Sequence, residues 1–109
     1  MSYKIKTIAV FEKQAKRLSK KYLSLKSELI KLVQSLKDNP EQGISIGKNC
    51  YKIRIAIASK GKGKSGGGRI ITNIIISEKT IYLLSIYDKS EKENLSDKEL
   101  EELLNDIPE

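Results

Sequence analysis

The residues best suited to chemistry lie in and around a glycine-rich, lysine-rich segment. Residues 60–68 read Lys-Gly-Lys-Gly-Lys-Ser-Gly-Gly-Gly. Gly61, Gly63 and Gly66 match the spacing of dinucleotide-binding loops, but that motif must open a helix, and a strand pattern follows here from Arg69. A Walker-type phosphate loop fails for the same reason. The segment therefore predicts either a flexible basic loop that follows a nucleic-acid backbone or a solvated linker between strands.

The strands flanking this segment are predicted to bring further cations together. Alternation of apolar residues, or runs rich in isoleucine, predicts three strands, at residues 51–58, 69–76 and 80–87. If these strands are adjacent and antiparallel, the ends of the first and third lie beside the start of the second. This arrangement brings Arg54, Arg69 and Tyr87 close to one another. Lys89 follows just beyond the third strand.

A cluster of this kind is able to cleave RNA without histidine or metal, provided that the 2′-hydroxyl of the RNA attacks the adjacent phosphate. Arg54 and Arg69 suit the stabilisation of negative charge on the phosphorane. A lysine surrounded by other cations is expected to have a lowered pKa and to act as general base. The lysines that meet this description are Lys62, Lys64 and Lys89. Tyr87 either stacks on a base or donates a proton, or it packs in the core.

The charge of the chain favours a polyphosphate partner. The net charge is +7, but residues 1–90 contain 19 basic and 6 acidic side chains, whereas residues 91–109 contain 2 and 8. No acidic residue occurs between Glu41 and Glu78, although seven cations do. The alternative is that the lysines only keep the protein soluble. Three lysines of this span complete the predicted RNA-binding surface: Lys48, Lys52 and Lys60.

The rest of the chain predicts one more strand and three helices. Residues 3–7 alternate as in a strand, and apolar residues then recur at helical spacing over residues 11–18 and 25–36. Ser96 and Glu99 form the pattern of a capping box, which predicts a short acidic helix at the end of the chain.

These elements predict an α+β fold. The N-terminal strand and a helical hairpin pack on a curved, mainly antiparallel sheet, with a short C-terminal helix. We expect one domain over residues 1–109. The N-terminus is unlike a signal peptide, and no apolar run is long enough to span a membrane, so a cytoplasmic protein is expected. The sequence has no histidine and one cysteine, which excludes the usual zinc ligand sets, and no cofactor is expected.

Three segments carry a resemblance to a known family. Residues 62–71 (KGKSGGGRII), 83–89 (LLSIYDK) and 91–96 (EKENLS) resemble toxins of the RelE/ParE superfamily, and are most similar to HigB-like RelE toxins. By motif, the likeness covers roughly residues 45–105. It implies the toxin of a toxin-antitoxin system, a ribosome-dependent endoribonuclease that cuts messenger RNA in the decoding site and leaves a cyclic phosphate and a 5′-hydroxyl.

The resemblance also implies the site residues and the partners. Six positions match the family's basic and tyrosine positions and are expected to be catalytic: Arg54, Lys62, Lys64, Arg69, Tyr87 and Lys89. A cognate antitoxin, acidic where it covers the basic surface, is the expected protein partner. Two alternatives stay open, namely a toxin of the same fold that poisons DNA gyrase without cutting RNA, and an RNA-binding module.

Overall fold

The fold is described from a computed structural model, which covers residues 2–61, 63 and 65–108. The helices and strands follow one another as β1 (Lys4–Thr7), α1 (Ala9–Lys21), α2 (Leu25–Asp38), β2 (Ile44–Gly47), β3 (Cys50–Ile55), β4 (Gly68–Ile75), β5 (Thr80–Asp88) and α3 (Asp97–Asn105). None of the helices in these residues is long and apolar enough to cross a membrane.

The strands form one mixed sheet in the order β1-β5-β4-β3-β2. β1 is parallel to β5, and the other three pairings are antiparallel. The predicted α+β architecture and the adjacency of the three central strands are thereby confirmed. β2 was not predicted, because it has four residues, ends in a glycine and leaves Ile44 57% exposed, so that it lacks a buried face.

The core lies between the sheet and the α1–α2 hairpin. Ile53, Ile70 and Ile86 are register partners on the three central strands, and each is at most 5% exposed. Phe11 of α1 and Leu83 of β5 line the same apolar groove, which shows that the hairpin covers this part of the sheet. The helices therefore form because their apolar stripes are buried on the isoleucine-rich face.

The C-terminal helix begins as the sequence predicts. The Ser96 side chain accepts a hydrogen bond from the Glu99 backbone N–H, and the Glu99 carboxylate accepts one from the Ser96 N–H. Leu100 and Leu103 are buried. The predicted capping box is confirmed, and it fixes where the acidic helix starts.

An irregularity in β5 changes what lies beside the second half of that strand. β1 pairs only with Thr80 to Leu83, and the register of β4 against β5 shifts at Leu84. Beyond this point the side chain of Gln14, on α1, takes the place of a neighbouring strand. Its Oε1 atom accepts hydrogen bonds from the Ile86 backbone N–H and the Ser85 hydroxyl, both at 3.0 Å.

The segment between β3 and β4 is attached to the fold at both ends. Its first part forms a short 3₁₀ turn, Ala58–Lys60, which docks on the start of α2. The Ala58 N–H donates to the Glu28 carboxylate, at 2.8 Å, and the Ser59 N–H donates to the Ser24 hydroxyl, at 2.9 Å. At the other end, a Cβ atom on Gly67 would lie 2.1 Å from the Ile55 carbonyl oxygen, so this position requires glycine.

We expect Gly67→Ala to lower the free energy of unfolding by roughly 1–3 kcal/mol, because the added methyl group must push the backbone of β3 away. Gly63→Ala is the matched control, since a Cβ atom there meets nothing within 4 Å. The free energy of unfolding of this control, measured with urea, should stay within about 0.5 kcal/mol of the wild-type value. Equal effects of the two substitutions would show that the close approach at Gly67 does not matter.

Candidate functional site

The register of the three central strands brings Arg54, Arg69 and Tyr87 into line. Arg54 on β3 is the partner of Arg69 on β4, and Arg69 is in turn the partner of Tyr87 on β5. Adjacent strands lie about 4.8 Å apart, and register partners point to the same face of a sheet. The three side chains therefore leave one face of the sheet side by side.

This face is turned away from the α1–α2 hairpin. Tyr22 at the end of α1 donates a hydrogen bond to Asp88, at 2.5 Å, so Asp88 points towards the hairpin. Successive strand residues point to opposite faces, so Tyr87 points the other way. α3 lies on the Tyr87 side, because Leu103 of α3 and Ser85 of β5 line one cleft.

Arg69 is buried beneath the end of the glycine-rich segment. Arg69 as a whole is only 4% exposed. Its guanidinium donates hydrogen bonds to backbone carbonyl oxygens of the described residues Gly68, at 3.0 Å, and Ser65, at 3.1 Å. Arg69 thus orients the segment as well as contributing positive charge beside Tyr87.

Tyr87 has a buried hydroxyl with no hydrogen-bond partner among the described residues. Burial raises the pKa of this phenol, and the negative charge of Glu99 acts in the same direction, while the positive charges of Arg69 and Lys92 oppose it. A phenol is protonated at neutral pH at its ordinary pKa, and the net rise leaves that unchanged. An unpaired O–H group in a cationic environment is suited to donate a proton to a phosphate ester.

Two other predicted catalytic residues, Arg54 and Lys89, lie at the same end of the sheet. Arg54 is exposed on β3. Lys89 is half-buried, and its N–H donates to the Gly67 carbonyl oxygen, at 3.0 Å, so its backbone continues the β4–β5 pairing at the same end of the sheet. Lys62 and Lys64 lie outside the described residues.

The three lysines predicted to bind RNA are in different environments. The Lys52 side chain, on β3 and two residues from Arg54, makes no hydrogen bond or ion pair in the described part of the chain. Lys48 lies in the left-handed turn between β2 and β3 and forms an exposed ion pair with Glu101 of α3, at 2.8 Å. Lys48 therefore connects this turn to the acidic helix.

Lys60 occupies a position unlike that of a flexible-loop residue. Its ammonium group lies 2.5 Å from Asp88 and donates to the Gly66 carbonyl oxygen, at 2.8 Å. The side chain is 11% exposed, and that of Asp88 is 0% exposed. Both expectations for the segment, a flexible loop and a solvated linker, are thus wrong for Lys60, because a buried carboxylate needs this cation as its partner. The RNA-binding role of Lys60 stays a prediction.

Comparison with known proteins identifies the family. The family model described as the RelE toxin of the RelE/RelB toxin-antitoxin system matches residues 4–106. The chain belongs to the RelE toxin family. Its closeness to HigB-like members within that family stays a prediction.

Solved structures of E. coli RelE share the fold. A mutant RelE with two arginines changed to alanine, in the free state, is 16% identical, with a TM-score of 0.60, and the match covers 99% of this chain and 100% of that one. The isolated RelE toxin is 18% identical, with a TM-score of 0.53, covering 97% and 100%. The intact RelBE toxin-antitoxin complex is 19% identical, with a TM-score of 0.52, covering 80% and 96%. The predicted RelE-like fold is confirmed.

Asp88 of this RelE-family chain was not among the residues predicted from the sequence. Its carboxylate accepts hydrogen bonds from Tyr22, Lys60 and both the N–H and the hydroxyl of Ser90. Burial alone would raise the pKa of Asp88, but these donors outweigh it and hold that pKa well below its usual range. The signal in the sequence was an acidic residue directly after an apolar strand, Leu83 to Tyr87, where a buried charge requires partners.

We expect Tyr22→Phe in this RelE-family chain to cost about 1–3 kcal/mol of stability at neutral pH, because it removes a hydrogen bond to a buried carboxylate. The folded pKa of Asp88 lies below its unfolded value of about 3.9, so its stabilising effect is present above that pH and is lost as the pH falls. In the variant, the folded pKa of Asp88 should lie closer to its unfolded value, because one donor is missing. The unfolded state contributes equally in both proteins, so the difference in unfolding free energy should stay constant above about pH 4 and narrow only below it, as the pH falls through the folded pKa of Asp88 in the variant and towards that in the wild type.

Tyr51→Phe is the control for this experiment, since the Tyr51 hydroxyl has no hydrogen bond among the described residues. The other carboxylates with lowered pKa values, Glu91, Glu99 and Glu101, are common to all three proteins. A difference between Tyr22→Phe and wild type that stays constant with pH would contradict the role given to Asp88.

Proposed function

We propose that this chain is a metal-independent endoribonuclease that cuts messenger RNA in the decoding site of the ribosome and thereby inhibits translation. The observation that carries the proposal is the alignment of Arg54, Arg69 and Tyr87 on the sheet face turned away from the α1–α2 hairpin. Membership of the RelE toxin family supports it.

The proposed reaction needs only the RNA and these side chains. The 2′-hydroxyl loses its proton to a general base and its oxygen bonds to the adjacent phosphorus. The bond from phosphorus to the 5′-oxygen breaks, and this oxygen takes up a proton. The products are a 2′,3′-cyclic phosphate and a 5′-hydroxyl, and no oxidant, metal or cofactor takes part.

Each residue receives a role that suits its environment. Exposed Arg54 meets the phosphate first, and Lys52 on the same strand and face extends the contact along the backbone. Arg69 adds positive charge that stabilises the phosphorane. Tyr87, which is protonated at neutral pH, donates to the departing 5′-oxygen. Because Tyr87 is only 5% exposed, the groups that bury it have to move aside for the RNA.

The general base is one of the lysines that the family pattern indicates. They are Lys62, Lys64 and Lys89. Of these three, Lys89 is the one that lies among the described residues, and it directly follows β5, the strand of Tyr87. Lys89 is therefore the first candidate for the general base to test.

The proposed cleavage of messenger RNA on the ribosome also implies the partners of this chain. The ribosome and its bound messenger are the targets, and the proposed location is the cytoplasm, where they meet. An antitoxin is the proposed inhibitor, since a related toxin, E. coli RelE, occurs in a complex with its antitoxin. Its covering surface should be acidic where it meets Arg54 and Lys52.

The decisive experiment incubates the purified chain with programmed ribosomes that carry a defined messenger in the decoding site. We expect a cut within the exposed codon and a cyclic phosphate on the upstream product, and we expect one 2′-deoxy nucleotide at the cut position to abolish that cut. Persistent cutting of the deoxy messenger would exclude attack by the 2′-hydroxyl. An intact messenger, together with trapped gyrase cleavage complexes in a parallel assay, would support the gyrase-poisoning alternative instead.

Tyr87→Phe separates catalysis from stability. The hydroxyl has no partner in the described part of the fold, so its removal should leave the free energy of unfolding within about 0.5 kcal/mol of the wild type or raise it. Loss of the proton donor should slow messenger cleavage by roughly 10²-fold.

Tyr82→Phe, on the same strand, is the matched control and should keep full cleavage. A Tyr87→Phe protein that cuts at the wild-type rate would remove Tyr87 from the proposed mechanism. Measuring single-turnover cleavage on ribosomes and urea unfolding on the same preparations makes the two effects comparable.

A further inference from the structure

The solvent-facing side of α1 carries a dense row of cations, separate from the aligned residues of the sheet. The cations recur at helical spacing and line one open surface, which we call the α1 cationic face: Lys13, Lys16, Arg17, Lys20 and Lys21. On the other side of the helix, Phe11 and Leu18 are buried in the core. The row therefore has a fixed orientation and repeats its charge about once per 5.4 Å turn.

Most of this charge is not neutralised within the protein. The side chains of Lys13, Lys16 and Lys20 have no ion pair or hydrogen bond in the described residues. Arg17 and Lys21 share the Glu91 carboxylate, at 2.8 and 3.3 Å, and Lys21 also lies 3.9 Å from the Asp88 carboxylate. Among the described residues, five cations face two carboxylates, and Asp88 is already paired with Lys60, so the face stays positive.

One end of the α1 cationic face lies at the turn that follows β5. Glu91 lies in the turn that follows β5, where its N–H donates to the Asp88 carbonyl oxygen, at 3.0 Å. Lys89, one of the proposed catalytic residues, is in the same turn. A polyanion on α1 would therefore end near this turn, on the other side of the sheet from Arg54, Arg69 and Tyr87.

We propose that the α1 cationic face binds the phosphate backbone of double-stranded RNA. The inference rests on the proposed function, because it assigns to that ribosome-directed nuclease a second surface for structured RNA. The face supplies lysines at regular intervals, and binding to a duplex backbone requires little else.

The composition of the face favours an RNA duplex over other polyanions. An acidic protein would be expected to bury apolar residues at the centre of its interface, and the residues that line this face are all charged. Single-stranded RNA is held largely by stacking on aromatic side chains, but the aromatic residues nearest to the row in the sequence, Phe11 and Tyr22, are both buried. Phosphate contacts from a rigid helix are what the face offers.

The test is a triple substitution of the three unpaired lysines, Lys13→Gln, Lys16→Gln and Lys20→Gln, in the full chain. The probe is a short, blunt-ended RNA duplex, and its affinity is measured by fluorescence anisotropy over a range of salt concentrations. Loss of three phosphate contacts should make the slope of log K against log salt shallower by about 2 to 3.

The matched control removes the same charge elsewhere, through Lys4→Gln, Lys6→Gln and Lys31→Gln, all exposed on β1 and α2. Its slope should change by less than about 1. Equal slopes for the two triple variants would overturn the proposal, because binding would then depend on net charge alone. Unchanged melting temperatures should show that both variants are folded.

Two further probes identify the partner class. Single-stranded RNA of the same length should bind more weakly than the duplex, and its affinity should fall less when the three lysines are replaced. A polyglutamate peptide of matched charge should dissociate from the protein at a lower salt concentration than the duplex. Equal binding of either probe would overturn the assignment to duplex RNA. The assay contains no ribosome, so a failure here is distinguishable from a failure to cut messenger RNA.

Discussion

The buried carboxylate of Asp88 is the interaction on which the rest of the structure depends. A charge removed from water is tolerated only when close partners satisfy it, and Asp88 recruits them from three parts of the chain: Tyr22 at the end of α1, Lys60 in the segment after β3, and Ser90 in the turn after β5. The helical hairpin, the glycine-rich segment and the last strand are thus held at one point. Tyr87, the neighbour of Asp88, points to the opposite face, so the pairing that fixes the fold also fixes the strand end that carries the candidate functional site.

The two faces of the sheet consequently differ: one packs in the core and the other carries the candidate functional site. One is filled by isoleucines and covered by α1 and α2, and the other presents Arg54 and Arg69 beside Tyr87. α3 brings acidic side chains to this second face, where Lys48 pairs with Glu101 and Lys92 pairs with Glu99. The uneven charge along the sequence is therefore expressed in space, since the acidic end of the chain folds back onto its basic part.

Much of this could be predicted from the sequence where one local pattern dictated the outcome. The apolar stripe of α2, the capping box at Ser96 and the alternation in β3 each depend on nearby residues, and the pairing of Arg54 with Arg69 and Tyr87 follows once the strands are taken as adjacent. β2 could not be predicted, because an exposed strand of four residues has no buried face to mark it. The environment of Lys60 depends on Asp88, 28 positions further along the chain, and a lysine among glycines looks solvated until that contact is known.

Gln14 closes what would otherwise be an open edge next to the candidate functional site. β1 is too short to accompany β5 along its whole length, and the unpaired N–H of Ile86 would present a free ladder position to any extended peptide. One amide side chain occupies that position from the adjoining helix. This part of β5 is thereby closed to edge-to-edge association with other copies of the chain.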